Sequence, residues 1–292
     1  MKKLIVCDSG LGGLDIAAPF FRRQGPCEWD LIYLNAFPDP KFGYNDLAES
    51  SMREAVFQSV LESMESFSPA LCMIACNTLS IVWRDLSKRY RPSFPVMGII
   101  DRAVEVMTAA ARTEPEAHLL ILGTETTVFS GVYPAALRAC GVEPERIHSL
   151  ACPGLARQLE KDPLSPEVSG LIGHFAAQAD ALFARKPEKI YLCFCCTHYG
   201  YAERSWKREF GRLFPAVGLI NPNRELNLPG RGGSFAYHSR LELGTHQRAV
   251  MSDWFAADAP PIAEALRNAK AEPDLFLLPE GLRRTNNDSF LS

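Results

Sequence analysis

Two stretches of this 292-residue chain join a cysteine to hydroxyl, amide or imidazole neighbours. One is "IACNTLS" at 74–80, the other "YLCFCCTHYGY" at 191–201. In each, an apolar run ends on a cysteine, Cys76 or Cys196, and a polar turn leads into helical spacing. Such a turn gathers unpaired N–H groups and the positive end of a helix dipole, and both favour a thiolate. Strand alternation puts Cys193 and Cys195 on one face and Cys196 on the other. Cys196 is therefore read as the reagent, with Cys76 as its partner and Cys193 and Cys195 as packing. Cys7, Cys72, Cys140 and Cys152 are read as core or strand residues and Cys27 as a loop thiol.

Two facing thiols could serve three chemistries. A redox pair has no C-x-x-C motif to support it. A metal site has neither a second cysteine pair nor a His-x₃₋₅-His at zinc spacing, so no metal is expected. The third is acid–base work on a stereocentre, one thiolate removing a proton from one face while a thiol donates to the other. His198 follows Cys196 by two residues and Asp8 precedes the turn "SGLGG". That glycine run has neither dinucleotide spacing nor a Gly-Lys-Ser/Thr, which argues against a phosphate loop.

The elements that must hold these groups recur along the chain. Apolar runs at 3–7, 30–36, 70–75, 95–100, 118–124, 189–195 and 217–221 alternate with helical patterns at 101–112 and 167–186. Such runs read as strands buried on both faces, and their alternation with helices predicts an α/β fold with mainly parallel sheets. Segments 68–86 and 186–206 share a plan of proline, strand, cysteine, threonine and helix. By spacing, the first helix buries Leu79, Val82, Leu86 and Tyr90, and the second Tyr199, Ala202, Trp206, Phe210 and Leu213. Two pseudo-symmetric lobes with the site in the cleft between them follow, since ligands bind beyond the carboxyl ends of parallel strands. The expected division is 1–98 plus 214–269 for one lobe, carrying Asp8 and Cys76. The other is 99–213, carrying Cys196 and His198, and 270–292 forms an extension. Residues 227–246 read as loop and one strand, 260–271 as a helix, and 278–292 as a loose terminus.

The bulk numbers narrow the class. A net charge of −3 with 47% hydrophobic and 22% charged residues fits a globular protein and offers no basic block for nucleic acid. No run reaches the roughly 18 apolar residues of a membrane span, and the apolar start is too short for a signal sequence. Nine cysteines in a chain of this length predict free thiols and a cytoplasmic setting.

"CDSGLGGLD" (7–15), "IACNTLS", "PVMGIID" (95–101), "LGTETTVFSGVY" (122–133) and "CCTHYGY" (195–201) together resemble the glutamate racemase family, within the cofactor-independent aspartate/glutamate racemase superfamily. The resemblance covers roughly residues 3–222. It implies an isomerase that interconverts L- and D-glutamate for peptidoglycan without a cofactor, acting on a small amino acid as a homodimer. It further implies that Cys76 takes the α-proton of the D-isomer and Cys196 that of the L-isomer. Asp8 would assist Cys76, His198 would assist Cys196, and Glu160 would be a further assisting carboxylate. Ser9, Asn77, Thr78, Thr124, Thr127 and Thr197 match residues that hold the substrate. The family's Pro-Tyr-Gly turn corresponds to Gly43-Tyr44-Asn45, where Asn45 tolerates left-handed backbone angles. The family's acidic residue after the last strand is Asn221 here. Alternatives are racemisation of another amino acid such as aspartate, a different superfamily reaction such as diacid decarboxylation, and a mainly binding role of the DNA gyrase type.

Overall fold

The computed structural model describes residues 1–225 and 230–284. Residues 227–229 of the expected loop and 285–292 of the expected terminus lie outside that range. Nine strands form two wholly parallel sheets among the described residues. The first sheet has the order β4 (Val96–Gly98), β3 (Leu71–Ile74), β1 (Lys2–Asp8), β2 (Cys27–Asn35), β9 (Arg231–Ser239). The second has the order β6 (Ile147–Ala151), β5 (His118–Gly123), β7 (Ile190–Cys195), β8 (Val217–Ile220).

Strand alternation divides the core. In β1, Leu4 and Val6 join one buried cluster while Ile5 and Cys7 join another. In β7, Leu192 and Phe194 face the cluster that includes Cys196, and Cys193 and Cys195 face the opposite one. The cluster holding Cys196 also takes Tyr33 and Val6 from the first sheet, so one apolar mass joins the lobes. Each sheet is thus buried on both faces, as its unbroken apolar runs require.

Two departures from the sequence reading concern boundaries. β8 pairs with β7, so 217–220 belongs to the second sheet and the chain returns to the first lobe only afterwards. The segment after residue 270 is no loose extension up to the last described residues. The Glu272 amide bonds the Ser239 carbonyl at 2.8 Å, and Phe276 and Leu278 are buried with Phe57 and Ile74. β6 escaped the sequence reading because "IHSLA" is a half-buried edge strand with no continuous apolar run. Cys27 lies in β2 rather than in a loop, and Cys140 is exposed at a helix end rather than in the core. All nine cysteines are free. No helix of the described residues is long and apolar enough to cross a membrane.

The helices that bear the site follow β3 and β7. Asn77–Leu86 buries Leu79, Val82 and Leu86, leaving Tyr90 half-buried beyond its end. After Cys196 comes a 3-10 turn, Thr197–Ala202, before the helix Glu203–Gly211. Tyr199, Ala202, Trp206 and Phe210 are buried as expected, and Leu213 is half-buried.

Candidate active site

Cys76 ends the loop after β3 and caps the helix Asn77–Leu86; Cys196 occupies the equivalent place after β7. Both line one cavity of about 580 Å³ at the carboxyl ends of the strands. Asp8, Ser9, Gly43, Tyr44, Asn45, Asn77, Thr78, Thr124, Glu160, Thr197 and His198 line it too. Thr127 alone among the expected residues stands behind the wall. Its hydroxyl accepts from Thr124 at 3.1 Å and lies 3.4 Å from that of Thr78.

Each sulfur has its own surroundings. Cys76 Sγ is 3.1 Å from Ser9 Oγ. Burial, and then the negative charge of Asp8, push its thiol up to about 12, against the opposing hydrogen bonds from Ser9 and the Leu79 amide. The expected helix-start stabilisation of a thiolate is therefore present and outweighed, and Cys76 rests as a thiol. Cys196 Sγ instead faces His198 Nδ1 at 3.6 Å. His198 Nε2 is 2.6 Å from Glu160 Oε1. Burial opposes charge on this imidazole, but its bonds to Cys196 and Glu160 prevail and hold it well above the usual histidine range. A protonated ring therefore stands beside Cys196. The two sulfurs thus differ in their neighbours: Ser9 and the charge of Asp8 beside Cys76, the imidazole of His198 beside Cys196.

Asp8 is fully buried, and Thr197 donates to its Oδ2 at 3.0 Å across the two lobes. Burial raises its carboxyl to about 6, with His198 and Thr197 pulling the other way. Asp8 Oδ1, Asn77 Nδ2 and the Tyr44 hydroxyl are buried without a partner. A native fold rarely leaves such atoms unpaired, because each forfeits its hydration for nothing. All three residues line the cavity, and they offer an anionic acceptor, a donor and a hydroxyl to a ligand.

The lobes meet through the glycine run. A Cβ on Gly12 would lie 2.1 Å from Thr197 Oγ1 and 2.6 Å from His198 Nδ1; one on Gly10 would lie 2.3 Å from Glu160 Oε1. Close approach of backbone to the opposite lobe, not phosphate binding, accounts for these two glycines. Gly12→Ala is expected to lower kcat about 100-fold, since a misplacement near 1 Å has that effect. A stability loss of about 1–3 kcal/mol should accompany it. Steady-state kinetics and thermal melts check both, and unchanged kcat would refute the steric account.

The Gly43-Tyr44-Asn45 turn differs from expectation. Tyr44–Asp46 is a 3-10 turn closed by Gly43 donating to Asp46 Oδ2, and Asn45 has no left-handed backbone. Asn45 Oδ1 accepts from the Thr126 amide of the second lobe at 3.2 Å. Asn221 does not line the cavity but bonds Asn223 at 2.8 Å. Sequence reasoning missed Gln247, whose side chain bonds Glu160 at 2.7 Å, and also Asn35, Arg157 and Ser239 in the wall. None of these sits in a motif, so only the fold could place them there.

A family model described as Asp/Glu/hydantoin racemase matches residues 35–223. The chain is 26% identical over 223 residues to glutamate racemase of Aquifex aeolicus, spanning 76% of this chain and 79% of that protein. It is 28% identical over 200 residues to glutamate racemase of Oceanobacillus iheyensis, 68% of each. Among solved structures, a Bacillus anthracis glutamate racemase aligns with TM-score 0.68 and 21% identity, over 88% of this chain and 95% of that one. The Francisella tularensis glutamate racemase in complex with D-glutamate aligns at 0.67 with 18% identity, over 88% and 94%.

Proposed function

This chain belongs to the Asp/Glu/hydantoin racemase family, and from that premise we propose that it interconverts L- and D-glutamate by two-base proton transfer between Cys76 and Cys196. The observation that carries the reading is the pair of unlike sulfurs, one from each lobe, lining a single cavity with unpartnered atoms of Asp8 and Asn77.

In this reading the substrate lies between the sulfurs. Its ammonium meets Asp8 Oδ1, and a carboxylate takes the free Asn77 amide donor with the Thr78 and Thr197 hydroxyls. Cys196, as thiolate beside protonated His198, removes the α-proton of the L-isomer. The electron pair of the C–H bond becomes the carbanion, and the Cys76 thiol protonates it from the opposite face. The enzyme is left as Cys196 thiol and Cys76 thiolate, and the D-isomer runs the sequence backwards. Ser9 and the Leu79 amide hold the Cys76 thiolate when it forms, and the arriving ammonium offsets the charge of Asp8. Donors aimed at a developing carboxylate-stabilised carbanion reduce the barrier without reorganising. The free thiols fit a cytoplasmic setting, D-glutamate fits a cell-wall role, and a homodimer completes the proposal.

The test is one turnover of protiated L-glutamate in deuterium oxide. Thiols exchange with solvent, so the first D-glutamate formed should carry deuterium at the α-carbon while remaining L-glutamate does not. Return of the original proton to the product would mean a single base, and no exchange with any amino acid would defeat the reading.

A further inference from the structure

We propose that Gln247, on the helix Thr245–Ala256, is a positioning residue that fixes the plane of the Glu160 carboxylate and through it aims His198 at Cys196. The inference deepens the racemase reading and rests on it.

Glu160 is gripped from three sides. Oε1 accepts from the Leu11 amide at 2.6 Å and faces His198 Nε2 at 2.6 Å. Oε2 accepts from Gln247 Nε2 at 2.7 Å. An amide meeting a carboxylate presents its NH₂ end, so Gln247 donates. The last torsion of a glutamate is intrinsically broad; the two partners on Oε1 resist its turning, and Gln247 on Oε2 adds an anchor on the opposite oxygen that fixes the plane. The fixed plane decides how Oε1 meets the imidazole, and hence where Nδ1 points. The chain of contacts then runs Gln247, Glu160, His198, Cys196, with His198 at 3.6 Å from the sulfur.

The chemistry of the amide matters. A carboxylate at position 247 would repel Glu160, and a lysine would compete with His198 for its charge; glutamine holds the oxygen and leaves the charge to His198. Gln247 lies outside the residues matched by the family model, so this support comes from the C-terminal helices. Other titratable groups coupled to Glu160 are Asp8 of β1 and the phenols of Tyr33, Tyr201 and Tyr237. Arg248 follows on the same helix.

Gln247→Met keeps the length and removes the donor; Gln247→Glu keeps the shape and replaces the donor with an acid. With the wild type racemising glutamate, Gln247→Met should lower kcat on the order of 10-fold, the worth of one hydrogen bond to a charged group. KM should stay within about twofold, because the group touched is a base assistant rather than a substrate contact. Gln247→Glu should be slower still at about pH 8 and should recover relative to wild type near pH 6, as the two carboxyls come to share a proton. Loosened packing would give no such recovery, and the comparison between the two pH values stands even if the methionine variant does not fold. Wild-type kcat in both variants, or a loss in Gln247→Glu that ignores pH, overturns the role of Gln247 and leaves the racemase reading intact. A wild-type protein that exchanges no amino-acid α-proton overturns the reading beneath it.

Discussion

Cys76→Ser and Cys196→Ser each lose glutamate racemisation by about 10³-fold or more, while D-glutamate still raises the melting temperature of both. The size follows from what is removed. A serine hydroxyl keeps the position of the sulfur but neither yields nor accepts a proton readily near neutral pH, and a positioned acid–base group is worth about 10²–10⁴-fold. Either loss should stop both directions, since in the proposed mechanism every inversion uses one sulfur as base and the other as acid. The ligand contacts proposed at Asp8, Asn77 and Thr197 are untouched, so binding should survive. Chiral chromatography of both enantiomers reads the rates directly. Racemisation within about 10-fold of wild type in either variant would exclude the two-sulfur mechanism.

Asp8→Asn gains stability and loses activity. Asp8 is buried, with one oxygen unpartnered, and its carboxyl rises from 3.8 to about 6. The folded protein therefore binds this proton more tightly than the unfolded chain does. Stability from Asp8 is complete below about pH 4 and falls as pH rises through about 6. At 1.36 kcal/mol per decade, ionised Asp8 costs about 3 kcal/mol at pH 8. Asparagine removes that charge and still accepts from Thr197, so denaturant unfolding at pH 8 should show a gain of about 1–3 kcal/mol. At pH 4 the gain should vanish. In the same variant kcat/KM should drop about 100-fold, and the wild-type decline on the acid side, centred near 6, should disappear. An equal gain at both pH values, or an acid limb that persists, would show that Asp8 is neither the strained charge nor the ammonium anchor. Such opposition between stability and activity is common where a site must hold a charge in a dry place.

Much of this was legible in the sequence because it is local. The unbroken apolar runs of β1, β5 and β7 mark strands buried on both faces. A cysteine at the end of such a run, followed by Asn-Thr or Thr-His, must lie at the strand's carboxyl end whatever the remaining chain does. Alternation within "LCFCC" sorted Cys196 from Cys193 and Cys195 on backbone geometry alone. β6 gave no such signal, because an edge strand buries little and need not be apolar.

What the tertiary structure decided is everything that depends on distance between remote residues. Helix-start geometry at Cys76 argues for a thiolate; burial and the neighbouring Asp8 outweigh it, and neither is visible in a local motif. The glycine run shows its purpose only when Thr197 and His198 of the other lobe press against it. Gln247 belongs to no motif, yet the return of the chain to the first lobe brings it to Glu160, 87 positions away. Types and spacing fix which groups are available. Their protonation and aim are set by desolvation and by partners from distant segments, and those terms exist only once the two lobes are packed together.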